Sequence, residues 1–153
     1  MEPYPHRYAV RAFGAPAGNV GLDAEGLPAL STASPPQFGG PKGHWSPETL
    51  FVGAVADCFI LTFRAVAAAS GFSWTSLECA ADGVLERVAG VTKFTAIRLE
   101  ARLVLPAGGD TERGRGLLEK AERGCLIANS LNVQPSLHVE VTAGPSRESS
   151  AAT

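Results

Sequence analysis

Cysteine and histidine are both scarce, with three residues of each in a chain of 153. An odd number of cysteines, without the regular spacing of a disulfide framework, disfavours a secreted scaffold and favours a reducing cytoplasm. No two histidines, and no histidine and cysteine, have the spacing of metal ligands. We therefore expect no metal and no other cofactor.

An excess of charge is also lacking, since 13 basic and 15 acidic residues leave a net charge of −2. This balance disfavours nucleic-acid binding and a polybasic contact with a membrane. The first residues, MEPYPHRY, contain no apolar run, so we expect no signal peptide. A chain that is 45% apolar and 18% charged has the composition of one packed globular domain.

One long apolar stretch dominates the chain and predicts a helix from Ser46 to Ser70. Ser46 suits the N-cap, Pro47 suits the first helical position, and a glycine follows Ser70 to end the helix. Asp57, Arg64 and several alanines make this stretch a poor membrane span. A helix that is apolar nearly all round must be buried on most sides. A homodimer in which two such helices share two sheets would cover it, and we expect that assembly.

Alternating apolar residues predict strands on both sides of this helix. The expected order is βββ-α-ββ-α-β, an α+β fold with helices packed on antiparallel sheets. We expect a flexible N-terminus over residues 1–6, a single domain over 7–143 and a disordered tail over 144–153. The predicted strands are Arg7–Phe13, Asn19–Leu22, Leu27–Thr32, Thr75–Arg87, Thr92–Leu105 and Gln134–Ala143, and the later helical segments are Asp110–Arg123 and Leu126–Leu131.

The loop before the helix, residues 34–45, is long and rich in proline and glycine. Long ordered loops often carry function, and exposed aromatic side chains here would form a lid or the wall of a pocket. The alternative is that the aromatic residues only pack the loop onto the body of the protein. The candidate pocket residues are Gln37, Phe38, Lys42, His44 and Trp45.

The cysteines are the first candidates for chemistry. Cys58 lies in the middle of the predicted central helix, where it is either a reactive or a buried structural thiol. Cys125 lies at a predicted helix break, where free N–H groups of a following turn would favour its thiolate. The alternative is that Cys125 is a small apolar side chain that only fills space in the core. Cys79 lies on the inward face of a strand, and we expect it to be structural.

Glu48 lies in the first turn of the central helix, where it either complements the helix dipole or takes part in a site. It precedes Cys58 by ten positions, which corresponds to about 15 Å along a straight helix. The two side chains can therefore meet only if Glu48 approaches the Cys58 of a second chain.

Two segments carry a resemblance to a known family. They are WSPETLFVGAVADCF (Trp45–Phe59), with PQFGG before it, and AERGCLIANSLN (Ala121–Asn132). Together with the predicted element order over about Arg7–Ala143, they resemble the OsmC/Ohr family of thiol peroxidases. The resemblance implies an intertwined α+β homodimer with two active sites at its interface.

The resemblance also implies roles for individual residues. Cys58 matches the peroxidatic cysteine, which attacks an organic hydroperoxide and becomes a sulfenic acid. Cys125 matches the resolving cysteine, which forms a disulfide with it, and an external thiol then reduces that disulfide. Glu48 matches the glutamate that holds the family's catalytic arginine.

That arginine is missing at both positions where the family carries it. The first turn reads Gly14-Ala15-Pro16-Ala17-Gly18, and the loop carries Gln37 before Phe38. Leu126 also stands where the family has a proline after the second cysteine. Lys42 or His44 would have to supply the charge. The alternative function is a non-peroxidase protein of this fold that binds a small apolar or thiol-containing ligand or senses electrophiles, and a structural dimer with inert thiols is a third possibility.

Overall fold

A computed structural model of the chain describes residues 1–145. The chain divides into two compact units, Met1–Phe51 and the part that begins at Val52, with the boundary inside a continuous helix. The single domain expected over 7–143 stays a prediction. Residues 146–153, most of the expected tail, lie outside the described residues.

The N-terminal unit contains a small antiparallel sheet in the order β1-β2-β3, which confirms the predicted meander. β1 begins at Arg11 rather than Arg7 because Arg11 already pairs with Asp23, the last residue of β2. β3 begins at Leu30 because Pro28 lacks the N–H that a ladder needs. The strands are β1 (Arg11–Phe13), β2 (Val20–Asp23) and β3 (Leu30–Thr32), and a 3₁₀ turn follows at Pro36–Phe38.

The central helix, α1, spans Pro47–Ala69, as the sequence predicts. At its start, the backbone N–H of Thr49 donates to Ser46 Oγ at 3.2 Å, and the N–H of Ser46 donates to Thr49 Oγ1 at 2.9 Å. At its end, Gly71 has a φ of +58°, a left-handed conformation that glycine adopts without strain. Local capping therefore fixes both ends of this helix.

The C-terminal unit contains the second sheet, in the order β4-β5-β6. β4 and β5 form the expected antiparallel hairpin, closed by Ala89 and Gly90, which both have positive φ. β6, however, pairs parallel to β5, so the expectation of antiparallel sheets is wrong here. The helical crossover between these strands returns the chain to the end of the sheet where β5 began. The elements are β4 (Ser76–Val88), β5 (Val91–Leu105), α2 (Thr111–Gly124), α3 (Leu126–Asn129) and β6 (Ser136–Ala143).

The core of this unit forms between α1, the inner face of β5 and α2. The buried residues of α1 recur every fourth position, a stripe that fits one face of a helix. β5 presents the alternating inward residues that the sequence predicts. The core comprises Val55, Phe59, Phe63 and Ala67 of α1, Ile97, Leu99, Ala101, Leu103 and Leu105 of β5, and Leu117, Leu118 and Ala121 of α2.

α1 is covered on one side only. By length and composition alone it could cross a membrane, but its buried stripe is that of a core helix. Away from the stripe, Leu61 is 50% exposed, and Ala54, Ala65 and Ala68 are exposed as well. The helix thus leaves an apolar face open in a single chain.

Candidate functional site

Cys58 and Cys125 meet within the C-terminal unit. Cys58 is half-buried on α1, and Cys125 is only 1% exposed at the junction between α2 and α3. The two thiols are close enough for Cys58 to raise the pKa of Cys125. The sulfur of Cys58 also lies 3.8 Å from the hydroxyl of Thr62, which donates to the Cys58 carbonyl at 2.7 Å. The two cysteines selected from the sequence therefore share one site.

The break between the two short helices positions Cys125. α2 ends at Gly124, where an added Cβ would lie 3.6 Å from a methyl group of Thr62 on α1. Cys125 then adopts an extended conformation and caps α3, and its carbonyl accepts from the N–H of Asn129 at 2.9 Å. The backbone N–H groups of Ile127 and Ala128 lie near its sulfur and lower the pKa of its thiol. The expectation of free N–H groups beside this thiol is confirmed.

Burial nevertheless dominates the electrostatics of Cys125 and raises the pKa of its thiol above the ordinary value. The N–H groups of Ala128 and Ile127 lower this pKa, while hydrogen bonding to Cys58 and repulsion by it raise it further. Burial therefore favours the protonated form of the Cys125 thiol. Cys58 is the more exposed of the two residues.

Cys79 lies on the inward face of β4 and is half-buried. Burial raises the pKa of its thiol to about 11, and repulsion by Cys125 adds to the effect. A thiol that stays protonated at neutral pH is a poor nucleophile. Its position is therefore the one expected of a structural cysteine.

The N-terminal unit contains a pocket of about 380 Å³. Its walls are mainly apolar and come from the small sheet, the 3₁₀ turn and the first turn of α1, with Leu22, Phe38 and Leu50 among them. Glu48 also lines it. Among residues 1–145, no group forms a hydrogen bond with the buried Oε2 atom of Glu48.

Trp45 is 54% exposed, so the aromatic residues of the loop do not simply pack it onto the body of the protein. Phe38 lines the pocket and is 60% exposed, whereas the Trp45 carbonyl accepts from the N–H of Ala33 at 3.0 Å and so ties the loop to the end of β3. Gln37, Lys42 and His44 are exposed. In the described chain the ion pairs are Arg11–Asp23 and Arg102–Glu140, so neither Lys42 nor His44 pairs with Glu48.

Sequence reasoning missed Thr62 as a neighbour of Cys58. The signal was present, because Thr62 follows Cys58 by one helical turn and shares its face. The N–H groups beside Cys125 were expected, but their contact with its sulfur depends on where α3 begins.

Comparison with known proteins identifies the family. A family model described as OsmC-like protein matches residues 39–142, about two thirds of the chain. Peroxiredoxin OsmC of Escherichia coli is 30% identical over 105 residues, which covers 69% of this chain and 72% of that protein. The uncharacterized protein YmaD of Bacillus subtilis is 28% identical over 131 residues, covering 82% and 87% of the two chains.

Comparison with solved structures points to the same family. The organic hydroperoxide resistance protein OsmC of Legionella pneumophila is 27% identical, with a TM-score of 0.75, over 91% of this chain and all of that one. The chain therefore belongs to the OsmC-like family, and its α+β fold is that of the family. At the level of the family, these relatives support a role in peroxide resistance.

Proposed function

We propose that the protein is a thiol peroxidase for organic hydroperoxides and that Cys58 and Cys125 are its redox pair. The thiolate of Cys58 attacks the hydroperoxide, an S–O bond forms as the O–O bond breaks, and the alcohol leaves after taking up a proton. The thiolate of Cys125 then attacks the Cys58 sulfenic acid, so that a disulfide forms and water leaves. Two equivalents of an external thiol, or one dithiol, then reduce this disulfide through a mixed disulfide, regenerate both cysteine thiols and are themselves oxidised to a disulfide.

The contact between the two thiols is the observation that carries this proposal. A resolving cysteine must reach a sulfenic acid before that group is oxidised further, which requires the two sulfurs to be neighbours. The difference in exposure supports the division of roles, because the half-buried Cys58 is open to substrate and the buried Cys125 is shielded from it.

The active form in this proposal is a homodimer in a reducing cytoplasm. The open apolar face of α1, which includes Leu61, supports a second chain as its cover. The dimer would also allow Glu48 of one chain to approach Cys58 of the other. All three cysteines are free thiols, as the cycle requires at its start.

The absence of an arginine favours a second candidate function. Glu48 has no cation among the described residues, and no arginine stands at position 37 or in the first turn. A protein of this fold that binds a small apolar or thiol-containing ligand, or senses electrophiles through Cys58, would not need that charge.

Counting thiols distinguishes the two functions. Reduced protein is mixed with one equivalent of an organic hydroperoxide, and free thiols and disulfides are measured over time. A peroxidase loses two thiols per chain and gains an internal Cys58–Cys125 disulfide, whereas a ligand-binding protein loses none. Cys125→Ser should leave a sulfenic acid that dimedone traps, and Cys79→Ala is the matched control that should behave as wild type. An unreactive wild-type protein would contradict the proposal.

A further inference from the structure

The pocket of the N-terminal unit contains a polar atom that nothing in the described chain explains. Oε2 of Glu48 is buried and has no hydrogen-bond partner among residues 1–145. Burying a carboxylate oxygen without a hydrogen-bond donor costs free energy, and native structures rarely contain such an unpaired atom. The pocket around it is large enough for a small molecule, at about 380 Å³.

The cations of this unit are used elsewhere or face solvent. Arg11 donates to both carboxylate oxygens of Asp23, at 3.1 and 2.6 Å. Arg7, Lys42 and His44 are exposed, and none of them forms an ion pair in the described part of the chain. None of these cations therefore donates to Oε2 of Glu48, which leaves this atom open to a donor from a bound ligand.

The other polar groups around the pocket are already engaged. The hydroxyl of Thr32 donates to the carbonyl of Val20 at 3.3 Å. The N–H groups of Thr49 and Leu50, in the first turn of α1, donate to Ser46 Oγ at 3.2 Å and to the Ser46 carbonyl at 2.9 Å. These N–H groups are thus not available to an anion, which Glu48 would also repel. The remaining walls are apolar.

We propose that this pocket binds a small organic cation, with one ammonium or guanidinium group at Glu48 and a short apolar body against Leu22, Phe38 and Leu50. The cation supplies the donor that Oε2 lacks, and the apolar walls take up the rest of the ligand. Every group that this binding uses lies between Ala12 and Leu50, so it requires neither Cys58 nor Cys125 and can be tested apart from the proposed peroxidase activity.

The test uses three probes of similar size that differ in charge: n-butylammonium, 1-butanol and butyrate. Each is titrated into the reduced full-length protein and followed by two-dimensional amide NMR. We expect saturable shifts around Leu22 and Leu50 with butylammonium, at least about tenfold weaker binding of butanol, and no binding of butyrate. Equal affinity for butanol and butylammonium, or no saturable binding of butylammonium, would overturn the proposal.

Variants assign the effect to the pocket. Glu48→Gln should remove the preference for the cation, whereas Glu25→Gln removes the same charge from an exposed turn of the same unit and should leave the preference intact. Ala12→Phe should fill the pocket and abolish binding of both butylammonium and butanol while Glu48 remains. A butylammonium affinity that is unchanged in Glu48→Gln or in Ala12→Phe would refute the site, and the amide spectrum of each variant reports its folding.

Discussion

Replacing Glu48 by leucine should make the protein more stable in the absence of any ligand. Oε2 of Glu48 is buried without a donor in the described chain, and an unsatisfied buried polar group costs about 1–3 kcal/mol. Leucine removes that cost and adds apolar surface to an apolar pocket.

The same substitution also removes a favourable effect. Glu48 lies in the first turn of α1, where a negative charge gains about 0.3–1 kcal/mol from the helix dipole. Subtracting this leaves a net gain of about 1 kcal/mol, which raises the melting temperature by about 2–4 °C in a chain of this length.

The measurement is urea unfolding of the reduced proteins at one fixed protein concentration, because association would also shift the midpoint. Glu25→Leu is the matched control and should change the free energy of unfolding by less than about 0.5 kcal/mol, since Glu25 is exposed. Destabilisation of Glu48→Leu by more than about 1 kcal/mol would refute the reasoning, because it would mean that Glu48 has a favourable partner in solution.

Three further predictions concern the redox pair and the dimer. Burial raises the pKa of Cys125, so the fraction of its thiolate grows as pH rises towards that pKa. The rate of disulfide formation, measured by rapid mixing, should therefore increase up to about tenfold per pH unit between about pH 6 and pH 8. A rate that does not change with pH would contradict this. Leu61→Asp, on the open face of α1, should weaken the proposed dimer in sedimentation, whereas Lys120→Asp changes an exposed position on α2 and serves as the control; a wild-type monomer at micromolar concentration would contradict the proposed dimer. Gln37→Arg should increase the rate of peroxide consumption at neutral pH because it restores a cation at the family's position, and an unchanged rate would show that this position does not serve Cys58.

The sequence predicts best what local chemistry decides. Ser46 and Gly71 act as helix caps where expected, because each cap depends on residues within one turn of it. The inward face of β5 follows from strict alternation.

Long-range geometry was harder to predict. The parallel pairing of β6 depends on how the crossover returns the chain, which alternation within a strand does not encode. The contact between Cys58 and Cys125 was implied by family resemblance alone, since it requires α2 to end beside α1. Nor does sequence reveal that Glu48 lacks a donor, because that depends on where every cation of the unit points.

The N–H groups of Ile127 and Ala128 lower the pKa of the Cys125 thiol, so we expect α3 to respond to oxidation of this sulfur. A disulfide sulfur carries no charge and must turn towards its bonded partner, so it is a poorer acceptor for both amides. α3 is only four residues long, so few hydrogen bonds within the helix stabilise it. We therefore expect these two amides to exchange with deuterium faster in the oxidised protein, which would make the backbone after Cys125 a local reporter of redox state.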